Sequence, residues 1–323
     1  MPISRRDFTR MAAGVALLPQ GVAPTTPQGL VTMAGPISPV VMFSKHLADL
    51  GWRDLGTAVR EAGFDGIDLT VRPGGHVLPE RVAEDLPRAV AAIRDGGSHV
   101  AMLTTGLTNP SDPTARALLQ AAARVDVRRL KAGYYRYAFA DARRELEAAA
   151  RDFAALVRMA GEAGVLLAYH NHSGNYVGAA VWDGLRLIEG LPATATGLYF
   201  DPRHATVEGG IAGWRIAVQM AAAHLRMIAI KDFYWEKGPD GRGRVIDCPV
   251  GEGMVDWKGF AAEMRKARFS GPISLHIEYE PGGRTPVEKR ERMLEAAVRD
   301  RTRIVALLTE EPTGAPAGAG RGR

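Results

Sequence analysis

Cysteine is almost absent from this chain. Its 323 residues include a single cysteine, Cys248, which excludes an intrachain disulfide and a zinc site built on cysteine ligands. No Lys/Arg-rich stripe with interleaved aromatic residues is present, so we expect no nucleic-acid ligand. The apolar run at residues 11–18 is too short to cross a bilayer, and we expect no stable membrane insertion. With 46% hydrophobic residues, the chain can bury a large core.

The N-terminal residues have the pattern of an export signal. Arg5 and Arg6 precede the short apolar run 11–18, as in a twin-arginine signal, although Thr9 stands where that motif usually has a bulky apolar residue. An amphipathic helix is the alternative. We expect residues 1–34 to form an export signal and linker that directs the protein to the periplasm or outside the cell, and residues 310–323 to form a disordered tail.

Between these ends, strand-like and helix-like segments alternate. Short β-branched runs indicate buried strands at 39–43, 66–71, 99–103, 127–133, 165–169, 196–200, 225–230 and 273–278. Helical patterns occupy 49–62, 79–95, 113–124, 141–163, 181–190, 211–223, 256–267 and 286–309. This α/β order predicts a (β/α)8 TIM barrel in a single domain, residues 35–309. The alternative, an open doubly wound sheet, normally has a Gly-rich phosphate loop after its first strand; here Ser44-Lys45-His46 follows that strand.

Several predicted strands end in polar residues. Strand alternation places one set of these side chains inside the barrel: Arg72, His170, His172, Asp201, Lys231 and Glu278. Because the carboxyl ends of barrel strands meet at one mouth, where TIM-barrel enzymes keep their chemistry, the pattern predicts an enzyme with its site there.

Several short motifs occur in barrel order along the chain. They are Phe43-Ser44-Lys45-His46-Leu47, the run 63–79, His170-Asn171-His172, Asp201-x-x-His204, the run 251–257 and the run 271–279. With these motifs the chain resembles the sugar phosphate isomerase/epimerase superfamily, the xylose-isomerase-like TIM barrels that also include endonuclease IV. The resemblance covers about residues 38–305.

The resemblance implies a divalent metal held by Glu, Asp, His and Glu from four successive strands. Asp201 and Glu278 match two of these positions, and His170 stands in place of the first Glu. These three residues would suit Mn, Zn or Fe. Ala229 stands where the His is expected and cannot bind metal. The alternative is a metal-free mouth in which His170 and Lys231 pair with the two carboxylates and Lys231 supplies the positive charge.

The same resemblance implies an isomerase or epimerase that transfers a proton next to the carbonyl of a sugar or keto-sugar. Glu278 is the expected base, the metal or Lys231 stabilises the developing oxyanion, and His172 or His204 moves the second proton. The expected substrate-binding residues are Arg72, His204, Lys45, His46 and His76. A keto-sugar dehydratase or lyase and a non-catalytic carbohydrate-binding barrel remain as alternatives. We expect a small-molecule sugar as the partner, and a homo-oligomer is compatible with the sequence.

Overall fold

The computed structural model describes residues 38–310. The predicted export signal and most of the predicted tail lie outside these residues. Within them the strands are β1 (Val40–Phe43), β2 (Gly66–Val71), β3 (Val100–Thr105), β4 (Arg129–Lys131), β5 (Leu166–His170), β6 (Thr196–Phe200), β7 (Leu225–Ile230), β8 (Asp232–Lys237), β9 (Gly243–Cys248) and β10 (Ile273–Leu275). The α-helices are α1 (Trp52–Glu61), α2 (Val82–Asp95), α3 (Ala115–Arg124), α4 (Ala142–Ala163), α5 (Val181–Ile188), α6 (Pro202–Ala221), α7 (Trp257–Lys266) and α8 (Pro286–Thr309).

Eight of the strands close into a parallel barrel in the order β1-β10-β7-β6-β5-β4-β3-β2. The helices alternate with these strands along the chain, so the predicted (β/α)8 barrel is confirmed. None of the helices in the described range is long and apolar enough to span a membrane.

The barrel interior has an apolar floor below a polar mouth. The floor is a fully enclosed cluster of six side chains, namely Val41, Met102, Ala168, Tyr199, Met227 and Ala229. Because strand side chains alternate, the next inward positions after Met102, Ala168 and Ala229 are two residues further along. Those positions are Thr104, His170 and Lys231, and all three line the cavity above the floor. Ala229 and Lys231 therefore both face the barrel interior.

Helix α6 begins nine residues before the predicted helix 211–223. Its N-cap is Asp201, whose side chain accepts a hydrogen bond from the backbone N–H of His204, and Pro202 occupies the first turn. Two consecutive glycines, Gly209 and Gly210, are unfavourable inside a helix, so the sequence pattern predicted no helix before them. Gly210 has a φ of 59°, a non-helical kink within the helix.

The β8–β9 hairpin was not predicted from the sequence. The two strands pair antiparallel from Asp232–Cys248 to Lys237–Gly243, although Pro239-Asp240-Gly241 between alternating runs is a recognisable hairpin signal. The first hairpin residue, Asp232, is fully buried and accepts hydrogen bonds from the Trp257 indole and from several backbone N–H groups. One of these donors is Gly253, where a Cβ atom would lie 2.2 Å from Asp232 Oδ1. Asp232 therefore holds the loop that connects the hairpin to α7.

The last barrel strand is shorter than predicted. β10 ends at Leu275 rather than residue 278, because the backbone N–H of Ile277 donates to Nε2 of His46, at 2.9 Å, instead of to a neighbouring strand. The segment after β10 is thus held by a side chain.

Candidate functional site

The strand ends enclose a cavity of about 300 Å³, a size found for small-molecule sites. It lies at the carboxyl ends of the barrel strands, as the sequence predicted. The predicted site residues that line it are Lys45, Arg72, His170, His172, His204, Lys231 and Glu278.

Asp201 is the buried centre of this site, with no solvent exposure. Its Oδ2 atom lies 3.2 Å from Nζ of Lys231 and 3.3 Å from Nε2 of His170. Burial alone would raise the pKa of Asp201, but the charge of Lys231 and the neighbouring imidazoles of His204 and His170 hold that pKa well below its usual range. The carboxylate is therefore ionised, and Lys231 balances its charge.

His170 is neutral despite its contact with Asp201, because burial lowers its pKa to about 3. An ionised carboxylate can only accept, so Nε2 of His170 must carry the ring proton. Its Nδ1 atom then accepts a hydrogen bond from the Tyr134 hydroxyl, at 2.8 Å. Burial raises the pKa of Tyr134 well above its usual value, so the phenol keeps its proton and the tautomer of His170 is determined.

The tautomer of His204 follows from a neighbouring arginine. Nη1 of Arg203 donates to Nδ1 of His204 at 3.0 Å, and a guanidinium can only donate. The proton of the neutral ring therefore lies on Nε2, which is 3.6 Å from Asp201 Oδ2 and has no hydrogen-bond partner among the described residues. Arg203 is held in turn by Asp247 of β9, at 2.6 Å. The hairpin thus contributes directly to the site.

Glu278 lies on the segment that follows β10 and lines the cavity. Its Oε2 atom accepts a hydrogen bond from Nζ of Lys45 at 2.9 Å, and its side chain is 27% exposed. Burial would raise the pKa of Glu278, but Lys231 and Lys45 lower it below its usual value. The carboxylate is therefore ionised and accessible from the cavity.

His172 has one free ring nitrogen in the cavity. Its Nδ1–H donates to the backbone carbonyl of Ser173 at 2.8 Å, which leaves Nε2 as an acceptor. Burial, followed by the charge of Lys231, lowers the pKa of His172 to about 4. A neutral imidazole of this kind can take up a proton from a bound molecule.

Two predicted substrate-binding residues, His46 and His76, do not line the cavity, which corrects their assignment. His46 accepts a hydrogen bond from the backbone of Ile277 and so positions the segment that contains Glu278. The ring of His76 bonds to the side chain of Thr70 and the backbone carbonyl of Leu47. Both imidazoles are occupied by contacts within the protein.

The cavity wall also contains residues that were not among the predicted site residues, namely Lys131, Tyr134, Tyr199, His276 and Asp247. Strand alternation could have found Lys131, since Leu130 beside it packs in the outer core and Lys131 pairs in register with Thr104. His276 shares the inward face with Ser274 and Glu278. Asp247 lies on a hairpin strand that the sequence analysis did not predict.

A buried carboxyl group lies beneath the site. Asp68 is fully buried and accepts hydrogen bonds from Thr104 at 2.8 Å, Ser274 at 2.9 Å and Tyr199 at 3.4 Å. The Tyr199 hydroxyl is also 3.0 Å from Nε2 of His276. Burial raises the pKa of Asp68 to about 6.

The sequence model of the xylose isomerase-like TIM barrel matches residues 57–299, which is most of the chain. The protein belongs to this family. The resemblance stated from the sequence motifs is thereby confirmed. No curated protein matches the chain at a significant level.

Solved structures of the same fold include several sugar epimerases. A D-psicose 3-epimerase crystallised in the presence of D-fructose has a TM-score of 0.61 and 15% identity, covering 84% of this chain and 100% of that one. A 3-keto-D-glucoside 4-epimerase from E. coli has a TM-score of 0.62 and 13% identity, covering 82% and 99%. A xylose isomerase-like protein from Mycobacterium smegmatis in complex with magnesium has a TM-score of 0.62 and 14% identity, covering 84% and 97%. At these identities the likeness shows the fold.

The structure does not arrange the predicted metal ligands His170, Asp201 and Glu278 as one set of donors. Among residues 38–310, no group of three or more His, Cys, Asp or Glu side chains is arranged to hold a metal ion. The donor set explains why. The Lys231 ammonium group occupies the space beside Asp201 that a dication would need, the Nε2 atoms of both neighbouring histidines carry protons, and Lys45 holds Glu278. These residues do not fit a divalent metal.

We predict that Asp68→Asn changes how stability depends on pH. Because the folded state raises the pKa of Asp68 from 3.8 to about 6, its contribution to stability is fully present below the unfolded pKa. That contribution is lost as the pH rises through the folded pKa. Relative to the parent protein, the variant should gain roughly 2–3 kcal/mol in free energy of unfolding between about pH 4 and about pH 7.5. Urea unfolding at both pH values measures this gain.

The matched control is Asp95→Asn, which removes the same charge from an exposed position on α2. It should show no such gain. If the difference between Asp68→Asn and the parent protein is the same at both pH values, the explanation by burial of the Asp68 carboxyl is wrong.

Proposed function

We propose that this protein is an isomerase or epimerase of a sugar or keto-sugar that transfers a proton at the carbon next to a carbonyl. The observation that supports this most directly is the placement of an ionised carboxylate, an ammonium group and a neutral imidazole around one cavity. These are Glu278, Lys231 and His172. Such a reaction needs a base at the carbon and a positive charge at the oxygen.

Glu278 is the proposed base because its carboxylate is ionised and reaches the cavity. His172 is the proposed second proton carrier, through its free Nε2 atom. In the barrel order, β7 and β6 separate β10 from β5, so Glu278 and His172 approach a bound sugar from different sides. A proton can then leave one face of the carbon and return to another, which is the requirement for epimerisation.

Lys231 is the proposed positive charge at the developing oxyanion. It follows β7, which lies between the strands of the two proton carriers, and it is 5% exposed. In such a water-poor site an ammonium group stabilises a negative oxygen more strongly than it does in water. This role replaces the metal that the sequence resemblance implied.

The family gives independent support, since its solved structures include epimerases of D-psicose and of a 3-keto-D-glucoside. A dehydratase or lyase that acts on a keto-sugar would use the same base and cation but would release water or another leaving group. A non-catalytic carbohydrate-binding barrel would bind the sugar without exchanging its carbon-bound hydrogen.

We predict that Glu278→Gln lowers turnover by at least about 100-fold, because the amide cannot accept the proton. The measurement is incorporation of deuterium from solvent into a panel of keto-sugars, followed by NMR. Glu280→Gln is the matched control, since Glu280 is exposed two residues further along and is not part of the cavity wall. Near-normal exchange by Glu278→Gln, or an equal loss in both variants, would reject the role of Glu278.

We predict that the reaction does not need a divalent metal. Treatment with EDTA, or addition of Mn²⁺, Zn²⁺, Fe²⁺ or Mg²⁺, should change kcat/KM by less than about twofold, whereas Lys231→Met should lower it by about 100-fold or more. Lys237→Met, an exposed change on β8, is the control. Activity that disappears with EDTA and returns with one of these ions would restore the metal-dependent mechanism and remove Lys231 from its role.

Export to the periplasm is proposed from residues 1–34 alone, which lie outside the described residues. The paired arginines Arg5 and Arg6 are the feature that supports it. Replacing both by Lys should leave the protein in the cytoplasm of an expressing bacterium with a twin-arginine pathway. Unchanged secretion of that variant would show that another signal directs the protein.

A further inference from the structure

A second cavity of about 280 Å³ opens beside the proposed catalytic cavity. The two share the side chains of Arg72, Lys131 and Tyr134. The wall of this side cavity contains three basic residues, Arg72, Lys131 and Arg136, and no carboxylate. A concave surface with positive charge and no counter-charge attracts an anion.

Two of these basic groups have no acceptor among the residues that the structure describes. The carboxylates that border the site pair elsewhere, Asp201 with Lys231, Asp247 with Arg203, and Glu278 with Lys45. Within residues 38–310, neither Arg72 nor Lys131 forms an ion pair or donates a side-chain hydrogen bond. Lys131 is only 2% exposed, so its ammonium group is buried against the cavity without a partner.

The surroundings of Lys131 show that its charge is stabilised only weakly by the protein. Its Nζ atom lies 3.5 Å from the centre of the Tyr134 ring, a cation–π contact. Burial, followed by repulsion from Arg72, holds the pKa of Lys131 well below its usual value. An anion bound in the side cavity would stabilise the Lys131 ammonium group, because it would accept a hydrogen bond from that group and offset its repulsion from Arg72.

The side cavity is oriented towards the proposed reaction centre. Tyr134 contacts Lys131 through its ring and His170 through its hydroxyl, so a single side chain joins the two regions. Arg72 directly follows β2, and Lys131 is the last residue of β4. These two strands flank β3, and β3 lies opposite β7 in the closed barrel. An anion at Arg72 and Lys131 would therefore lie across the mouth from Lys231.

We propose that the substrate is an anionic keto-sugar, whose carboxylate or phosphate group binds Arg72 and Lys131 while its carbonyl lies at Lys231. This inference deepens the proposed function and depends on it for the keto-sugar part. The anionic group is at the end of the molecule distant from the carbonyl. Arg136, whose guanidinium lies over the Tyr176 ring, forms the outer wall of the same subsite.

The test compares three probes by isothermal titration calorimetry. They are D-fructose, which is neutral, 5-keto-D-gluconate, which has a carboxylate, and D-fructose 6-phosphate. At least one anionic probe should bind about tenfold or more tightly than D-fructose, since hydrogen bonds to charged groups exceed neutral ones by that factor. Tight binding of one anion alone identifies the group that the subsite recognises. Equal affinity for all three probes overturns the proposal.

Two variants locate the subsite. Arg72→Gln and Lys131→Met should each weaken the preferred anionic probe by about tenfold or more while changing D-fructose binding by less than about twofold. Arg124→Gln on α3 and Lys289→Met on α8, both exposed, are the matched controls and should change neither. If Lys131→Met does not fold, Arg72→Gln decides the question, because Arg72 is only partly buried. Unchanged anion binding in the folded variants rejects the subsite.

Deuterium exchange separates this proposal from the proposed function. Exchange into D-fructose with no preference for anionic probes would reject the subsite and leave the proton-transfer reaction intact. Anion preference that depends on Arg72 and Lys131, without exchange into any probe, would support the subsite and reject the reaction.

Discussion

The site depends on the buried ion pair between Asp201 and Lys231. A carboxylate without solvent contact is costly unless it is paired, and here the lysine ammonium lies 3.2 Å away. Because β6 and β7 are neighbours in the barrel, the two residues meet as a consequence of the fold. The same carboxylate caps α6 and determines which nitrogen of His170 carries the proton. Loss of either partner would leave an unpaired buried charge and disturb both elements.

This pair also explains how the barrel accommodates Ala229. The alanine belongs to the apolar floor beneath the cavity, so no ligand projects from that position. Lys231, two residues after Ala229 and also facing inward, places a positive charge at the mouth. Lys231 lies at one side of the mouth, and Arg72 and Lys131 lie at the opposite side. The mouth therefore has two positively charged regions, one for the reaction and one for anion binding. The two regions differ because Asp201 pairs with Lys231, whereas no carboxylate among the described residues pairs with Arg72 or Lys131.

The fold was largely predictable because its signals are local. Short β-branched runs located all eight barrel strands, and α8 (Pro286–Thr309) begins and ends where its helical pattern does. The errors occurred where tertiary contacts override local pattern. His46 accepts the Ile277 N–H and so ends β10 early, and Asp201 starts α6 before a double glycine. Lys131 was not among the predicted site residues, although alternation with Leu130 places it on the inward face of β4.

The sequence by itself determined which residues face the barrel interior, because the alternation of side chains in a strand needs no knowledge of distant parts of the chain. It thereby placed His170, Asp201, Lys231 and Glu278 at one mouth. Only the tertiary structure decided what each of them does there. Lys45 and Glu278 are far apart in sequence yet form an ion pair, and the protonation of His170 depends on burial and on Tyr134. Which charged groups pair with each other depends on distances between residues of different strands, and the closed barrel sets those distances.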